Sequence, residues 1–344
     1  MRSAVFHGVG QKLAIEERQR PTAEPGGIVI KVAYAGICGS DLHATEASLV
    51  PLEPGTVLGH EFAGVVAETS VPEWQVGDRV IGVPLRECEA CRPQGICREN
   101  LGILCPRNRI VGMSAGVPGA YAEYVALGAR HALLVPAGLS LKSAALAEPL
   151  AVGAHAVRLG GSLYGRNVLV VGAGPIGLAV IAFARFAGAR SVAVSEIDPD
   201  KRRRAAQFGA TLQIDPAGGA GLAKSYAAQD MPLPDVVFEC VGVPGLLQQC
   251  IALAPTRGRI VVVGVNRGED VILPRTAIRK ELSLQFVLGY QHEDFALVLD
   301  LLAQGRIDAD ALVSRVIGLD ELPETFERLR RPGPDAKVLI DPGL

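Results

Sequence analysis

The sequence lacks the features that mark a membrane protein or a nucleic-acid-binding protein. Lysine and arginine (34) nearly balance aspartate and glutamate (36), and the net charge of −2 gives no reason to expect a polyanionic partner. The most apolar stretches, 167–189 and 258–265, are interrupted by glycines or charges before they reach the length of a membrane span. No apolar run follows Arg2, so no signal peptide is expected.

The cysteines also lack the pattern of a secreted disulfide framework. The chain has seven of them, an odd number, and four lie within Cys88–Cys105. This clustering favours reduced thiols and a cytoplasmic location. It leaves the four clustered cysteines able to bind a metal ion.

The length and the order of apolar runs predict an α/β protein of two domains. A chain of 344 residues is long for one core. The first third contains β-branched runs separated by Gly, Pro and Asp ("GIVIKVAYAGI", "FAGVVAET", "GDRVIGV"), which predict strands joined by turns. From Asn167 onward, apolar strands alternate with helical patterns, which predicts a doubly wound parallel sheet.

Two segments outside these strands are also assigned from composition. The Ala- and Leu-rich stretch 141–161 predicts a pair of helices that leads into the second domain. The Gly- and Ala-rich stretch 216–225 predicts a surface loop.

A glycine-rich turn marks a candidate dinucleotide site. Gly172, Gly174 and Gly177 have G-x-G-x-x-G spacing between a predicted strand and a predicted helix. The second strand ends at Glu196, a carboxylate that can accept the ribose hydroxyls and repels a 2′-phosphate, which favours NAD over NADP. The run Lys201–Arg204 leaves an alternative open, because an arginine could hold a 2′-phosphate instead of lying on a solvated helix face.

Two groups of residues have the chemistry of zinc ligands. The first is a loop of four thiolates, enough to close a tetrahedral structural site and leave no position for substrate; its members are Cys88, Cys91, Cys97 and Cys105. The second is scattered over "GICGSDLH", "GHEFAG" and "LAEPLAVGAHA", and spacing alone does not connect its parts. Its candidate residues are Cys38, Ser40, Asp41, His43, His60, Glu61 and Glu148.

These motifs, in this order, resemble the zinc-dependent medium-chain alcohol dehydrogenase family over essentially the whole chain. "AEPLAVGAHA" is similar to the polyol (sorbitol), butanediol and threonine dehydrogenase branch, in which a glutamate replaces a cysteine ligand. The resemblance implies a GroES-like β-rich catalytic domain over 1–150, to which 290–344 return. It further implies a Rossmann NAD-binding domain over 151–289 and a homodimer or homotetramer.

The resemblance assigns the zinc ligands. It implies a catalytic zinc held by Cys38, His60 and Glu148, with Glu61 able to enter or leave the coordination sphere. The four-cysteine loop would hold a structural zinc. Its spacing departs from the family pattern C-x2-C-x2-C-x7-C, because Cys91 and Cys97 are separated by three additional residues.

The resemblance also assigns the remaining site residues. Asp41 would orient a ligating imidazole, Ser40 would bond the substrate oxygen, and His43 would pass the proton onward through the cofactor ribose. Cys240 and Cys250 match no ligand position and are interpreted as core thiols. The cofactor residues would be Gly172, Gly174, Pro175, Ile176, Gly177, Glu196, Lys201, Val241, Val263 and Val265.

The implied reaction is NAD-dependent oxidation of a secondary alcohol, vicinal diol or polyol to the ketone. The apolar character of 44–55 favours a hydrophobic or cyclic secondary alcohol, or a vicinal diol, over sorbitol. Two alternatives remain at this point: a zinc-free NADPH-dependent quinone or enoyl reductase of the same fold, and a non-catalytic NAD-binding sensor.

Overall fold

The protein is described from a computed structural model, which covers residues 1–46, 52–86, 102–216, 221–331 and 333–344. The chain divides into two compact units, one formed by Met1–Glu148 with Gln291–Leu344 and the other by Pro149–Tyr290. We infer that these units are the two domains that the sequence predicts.

The regular elements of the described residues follow in chain order. The strands are β1 Arg2–Phe6, β2 Ala14–Glu17, β3 Gly27–Gly36, β4 Thr56–Val57, β5 Glu61–Thr69, β6 Arg79–Gly82, β7 Leu85–Arg86, β8 Arg109–Ile110, β9 Tyr124–Gly128, β10 Ala132–Leu134, β11 Asn167–Val171, β12 Ser191–Ser195, β13 Leu212–Ile214, β14 Val236–Glu239, β15 Arg259–Val262, β16 Ser283–Phe286, β17 Val313–Ile317 and β18 Lys337–Ile340. The α-helices are α1 Gly39–Ala44, α2 Leu141–Ala144, α3 Ala147–Leu159, α4 Pro175–Phe186, α5 Pro199–Gln207, α6 Gly221–Ala227, α7 Leu246–Leu253, α8 Pro274–Arg279, α9 His292–Ala303 and α10 Leu322–Leu329.

The first unit is built around strand β3. Within the described residues, β3 belongs to a seven-stranded sheet of order β10-β6-β5-β3-β18-β17, and β9 also pairs with it. Its β-branched and apolar residues are largely buried, as the sequence predicts. Strand β5 pairs with β3 so that Gly36 faces Glu61, and β18 pairs with β3 so that Leu339 faces Gly36. The sheet therefore brings the end of the chain beside its first motifs.

The second unit contains a parallel sheet of six strands among the described residues. Their order, β13-β12-β11-β14-β15-β16, is that of a doubly wound dinucleotide-binding fold. Strands β11 and β14 are almost wholly buried, which accounts for their unbroken apolar sequences. In this topology ligands bind outside the carboxyl ends of the strands, where β11 adjoins β14.

Most of the predicted elements are confirmed, with one correction. Helices α2 and α3 form the predicted pair, but the loop predicted over 216–225 is wrong from Gly221 onward, where α6 begins. Leu222 and Tyr226 are buried in the core and, being four residues apart, lie on one face of α6. The glycine-rich composition of the stretch before them obscured this helical spacing. Among the described helices, none has both the length and the apolar character needed to cross a bilayer.

Candidate active site

Side chains from two separate motifs form a compact group of zinc-type ligands. The potential ligand atoms of Cys38, His60 and Glu61 all lie within 4.8 Å of one another. Cys38 precedes α1 and follows β3. Glu61 begins β5, the neighbouring strand, and His60 immediately precedes it. A thiolate, an imidazole and a carboxylate are the donors that zinc takes in proteins, so these residues fit the ion that the sequence predicts.

The imidazole of His60 is held by contacts to both ring nitrogens. Asp41 Oδ1 lies 3.2 Å from His60 Nδ1, and Ser40 Oγ lies 3.3 Å from His60 Nε2. Because the Asp41 carboxylate favours a proton on Nδ1, Nε2 is left to bind a metal ion. The nitrogen that would bind the metal, His60 Nε2, is therefore the one that lies beside the Ser40 hydroxyl.

Asp41 is itself buried and held by three donors. Besides His60, it accepts hydrogen bonds from the Cys38 backbone N–H at 3.1 Å and from the Tyr121 hydroxyl at 2.5 Å. Burial opposes ionisation of Asp41, but His60 and these hydrogen bonds outweigh it, and the pKa of Asp41 is lowered. Burial and the Asp41 charge raise the pKa of Tyr121 well above its usual value, so its hydroxyl remains a donor.

Glu61 forms a buried ion pair with a residue from the last strand. Lys337 Nζ donates to Glu61 Oε1 at 2.7 Å and Oε2 at 2.8 Å, and also to the carbonyl of Ile37 at 3.1 Å. Burial disfavours the charged lysine, but Glu61, Cys38 and Glu148 raise the pKa of Lys337 above its ordinary value. The charge of the Glu61 carboxylate is therefore already compensated inside the protein.

Glu148 lies in the first turn of α3 and is also buried. Among the residues that the structure describes, it is not a member of the compact group around Cys38. Its negative charge nevertheless acts on Lys337, and this places it in the same electrostatic environment. Its assignment as a zinc ligand stays a prediction.

The glycine-rich turn of the second unit has the geometry of a phosphate-binding loop. Gly172 follows β11 with φ +97°, a left-handed conformation that favours glycine. Gly174 caps α4, and a Cβ placed on it would meet no atom within 4 Å, so the space in front of the helix N-terminus is open. A Cβ on Gly177 would overlap the carbonyl oxygen of Gly172, so only glycine allows this close helix–strand packing.

The carboxylate after β12 is joined to this turn. Glu196 Oε2 accepts the Ala173 N–H at 2.8 Å, and Oε1 accepts the Asp198 N–H at 2.9 Å. Arg202, which could have held a 2′-phosphate, donates instead to the carbonyls of Glu196 (2.6 Å) and Ile197 (2.9 Å). Its other terminal nitrogen lies 3.0 Å from Asp215.

Comparison with known proteins identifies the family. Residues 24–137 match the alcohol dehydrogenase GroES-like domain, and residues 175–304 match the zinc-binding dehydrogenase family. The (R,R)-butanediol dehydrogenase of Bacillus subtilis is 33% identical over 356 residues, which cover 99% of this chain and 100% of that protein. The chain belongs to the zinc-binding alcohol dehydrogenase family.

Further relatives agree with the predicted branch of this family. The sorbitol dehydrogenase of Bacillus subtilis is 30% identical over 99% of this chain and 97% of its own. The crystal structure of 2R,3R-butanediol dehydrogenase from the same species has a TM-score of 0.89 with 32% identity, covering 99% of both chains. A zinc-binding dehydrogenase structure from Sinorhizobium meliloti 1021, bound to NADP, has a TM-score of 0.88 with 31% identity and the same coverage.

The family confirms several expectations and leaves others as predictions. The GroES-like and Rossmann folds and the oxidoreductase class are confirmed, and the zinc-free reductase and the sensor are not favoured. Cys250 is completely buried in the core, as predicted, and this burial raises its pKa to about 12, whereas Cys240 is only partly buried. Of the four-cysteine loop, Cys105 is buried, whereas Cys88, Cys91 and Cys97 lie outside the described residues.

Sequence reasoning missed three residues that hold the site together. They are Tyr121, Lys337 and Arg330, whose guanidinium donates to the carbonyl of Leu42 in α1. None belongs to a motif with a ligand-like spacing. One signal was available for Lys337, because a lysine that begins the buried strand "KVLI" needs a charged partner. Tyr121 and Arg330 gave no comparable signal, since their partners are set by tertiary contacts.

Proposed function

We propose that this dehydrogenase oxidises a secondary alcohol or a vicinal diol to the corresponding ketone, with NAD as the hydride acceptor. The observation that carries the proposal is the compact group of Cys38, His60 and Glu61 with the Ser40 hydroxyl beside it. When bound, zinc would supply Lewis acidity that lowers the pKa of the alcohol, and NAD would accept the hydride.

The residues of the chain supply ligation, orientation and a route for the proton. Cys38 and His60 would bind the metal through Sγ and Nε2. Asp41 and Tyr121 keep the His60 ring in one orientation. Ser40 Oγ, 3.3 Å from the metal-facing nitrogen of His60, is placed to bond the substrate oxygen and accept its proton. His43, with a 55% exposed side chain, would release that proton to water.

The third protein ligand is proposed from the charges around Lys337. Because Lys337 binds both oxygens of Glu61, that carboxylate is occupied, and we assign Glu148 as the third resting ligand. Glu61 would then serve as an alternative ligand when the ion pair opens. Cys38 and Glu148 together would neutralise the charge of a divalent ion.

The preference for NAD is supported by the contacts of Arg202. Its side chain is 17% exposed, and its guanidinium is held by two carbonyls and by Asp215, so it is not available for a 2′-phosphate. Glu196 places a carboxylate at the position where the ribose hydroxyls bind in this fold. Lys201 is proposed to contact the same ribose.

The substrate is proposed from two sources. Two relatives that cover nearly the whole chain are named as dehydrogenases of (R,R)-butanediol and of sorbitol, and sorbitol carries vicinal hydroxyls. The apolar stretch around Leu52 and Pro54 favours a less polar diol over a long polyol. Residues 47–51 of this stretch lie outside the described residues.

The decisive experiment combines zinc analysis with a substrate panel. Wild-type protein should contain about two zinc ions per chain and reduce NAD at 340 nm with 2,3-butanediol or a cyclic secondary alcohol. Cys38→Ser should lose turnover by at least roughly 1000-fold, since a catalytic metal contributes several kcal/mol, while NADH binding stays intact. Cys250→Ala, which changes a buried thiol in the other unit, is the matched control. Undiminished turnover by metal-depleted Cys38→Ser would exclude the zinc mechanism.

A homo-oligomer is proposed from the edge of the parallel sheet. Strand β16 is the last strand of that sheet in the described residues, and Phe286 and Leu288 beside it are 64% and 55% exposed. An exposed edge with apolar side chains is a template for pairing with a second copy. Light scattering of Phe286→Lys should show dissociation relative to wild type; an unchanged mass would place the contact elsewhere. The cytoplasmic location stays a prediction from the cysteine pattern.

A further inference from the structure

The short helix that carries Ser40 and His43 is fixed at its C-terminal end by an arginine from the end of the chain. Helix α1 has six residues, too few to be stable by itself, so tertiary contacts decide its orientation. Arg330 Nη1 donates to the carbonyl of Leu42 at 2.9 Å, and Nη2 donates to Thr45 Oγ1 at 2.8 Å. A cation at this end also complements the helix dipole.

Arg330 is held in place before it reaches α1. Glu327 accepts from Nε at 2.8 Å and from Nη2 at 3.0 Å, which is the two-point geometry that fixes a guanidinium plane. The guanidinium carbon lies 5.2 Å from the ring centroid of Phe326, a residue that is completely buried. The arginine is therefore a preorganised support rather than a mobile surface cation.

Glu46 joins this arginine to the histidine of the proton path. Its Oε1 lies 3.6 Å from Arg330 Nη1, and its Oε2 lies 3.5 Å from His43 Nδ1. A carboxylate beside Nδ1 favours the tautomer with the proton on that nitrogen. Nε2 of His43 is then left as the acceptor that a proton path from Ser40 requires.

We propose that Glu46 and Arg330 are positioning residues for proton transfer through His43. The inference rests on the proposed role of His43 in releasing the alcohol proton. In that step the proton leaves the alcohol oxygen, passes by way of the Ser40 hydroxyl to His43 Nε2, and then leaves for water. Glu46 takes no proton; its carboxylate selects the tautomer in which Nε2 is the acceptor and orients the ring. Arg330 holds Glu46 and α1 in position.

The test is a double-mutant cycle measured in single turnovers, so that product release does not mask the chemistry. Glu46→Gln should slow the step roughly fivefold, a modest effect because the His43 and Glu46 side chains are 55% and 41% exposed. KM and the melting temperature should remain at wild-type values. In a His43→Gln background, Glu46→Gln should have no further effect.

The arginine is tested against a control arginine two positions earlier in the chain, Arg328, in the last turn of α10. Arg330→Lys keeps the charge but loses the two-point geometry, and should slow the step about tenfold. Arg328→Lys, which changes an arginine of α10 that pairs with Asp335 at 2.9 Å, should have the wild-type rate. Zinc content serves as a check that the metal site is intact in all variants.

The outcomes separate this inference from the proposed function. If Glu46→Gln slows the enzyme equally with and without His43, the positioning role is wrong. The same conclusion follows if Arg328→Lys and Arg330→Lys behave alike. If His43→Gln keeps the wild-type rate, the proton path fails, and the positioning role fails with it, while zinc-dependent turnover is judged independently by Cys38→Ser.

Discussion

Lys337 and Glu61 are 276 positions apart in the chain, yet the lysine Nζ contacts both carboxylate oxygens, at 2.7 and 2.8 Å, with both side chains buried. Strands β18, β3 and β5 are adjacent and bring the pair together beside Cys38 and His60. The last strand of the chain is thereby joined to the candidate metal site.

Removing the lysine should destabilise the protein strongly. Lys337→Met leaves a buried carboxylate uncompensated, which costs about 3–5 kcal/mol of unfolding free energy. Urea denaturation measures this loss. The double variant Lys337→Met/Glu61→Gln should recover most of it, because the buried charge is gone. Equal stability of the single and double variants would contradict the ion-pair interpretation.

Gly36 should not tolerate substitution by alanine, whereas Gly39 in the same motif, "GICGSDLH", should tolerate it. A Cβ at Gly36 would overlap the Glu61 carboxylate, so Gly36→Ala must displace the ion pair and should lower stability and zinc content. Gly39→Ala is the control, since a Cβ there meets no atom within 4 Å. Calorimetry measures the melting temperatures of the two variants, and metal analysis measures their zinc content. Similar melting temperatures for Gly36→Ala and Gly39→Ala would contradict the close packing of Gly36 on Glu61.

Tyr121 should affect metal affinity through Asp41. Tyr121→Phe removes the 2.5 Å hydrogen bond to Asp41, and loss of such an outer contact weakens metal binding about 10- to 100-fold. Competition with a chelating dye measures zinc affinity. Tyr226→Phe, which removes a hydroxyl bonded to the Pro232 carbonyl in the other unit, should leave it unchanged.

His131 should make the protein sensitive to acid. Its two ring nitrogens are buried without a hydrogen-bond partner, its ring centroid lies 5.9 Å from that of His292, and burial, then His292 and Arg130, lower its pKa to about 3 from 6.5. The unfolded chain therefore binds more protons between these values, so stability falls as the pH drops from about 6.5 towards 3.

The corresponding variant is His131→Leu, which removes the titrating ring at little cost in packing. Unfolding in urea at pH 4 should show it more stable than wild type by about 2–4 kcal/mol, with a difference near zero at pH 7. His292→Leu should reduce the acid loss only in part, because burial is the larger cause. An acid loss of equal size in wild type and His131→Leu would assign it to other groups.

Cofactor choice should depend on Glu196. Glu196→Gln removes the carboxylate charge while keeping a polar group that can bond the Ala173 N–H. The ratio of kcat/KM for NAD over NADP should fall at least about tenfold, the effect of roughly 1.4 kcal/mol of lost discrimination. Glu281→Gln, an exposed carboxylate of the same unit that pairs with Arg257, should keep the wild-type ratio.

The features of this protein that can be predicted from the sequence are those that depend on residues close together in the chain. Apolar runs predict the strands of both units because a strand buried on both faces must be apolar throughout. The Gly172–Gly177 turn is recognisable because its glycines are required for local steric reasons, such as the close packing of Gly177 on Gly172. The loop wrongly assigned at Gly221 shows the limit of composition where only two buried apolar residues, Leu222 and Tyr226, mark a short helix.

The site itself depended on both kinds of information. Cys38, His60 and Glu61 could be nominated from motifs, but the sequence gave no reason for Cys38 to meet the adjacent pair His60 and Glu61. Their proximity follows from the pairing of β3 with β5, and hydrogen-bond register between strands is not encoded in either segment alone.

The sequence by itself determined the family and the dinucleotide turn and nominated the candidate ligands, because each of these motifs is a short contiguous stretch. Only the tertiary structure decided that Lys337 neutralises Glu61, that Tyr121 donates to Asp41 and that Arg330 anchors α1. These are contacts between residues about 80 to 290 positions apart. They form where a charge is buried or where the backbone groups at a helix end need hydrogen-bond partners. Both needs arise only once the chain has folded.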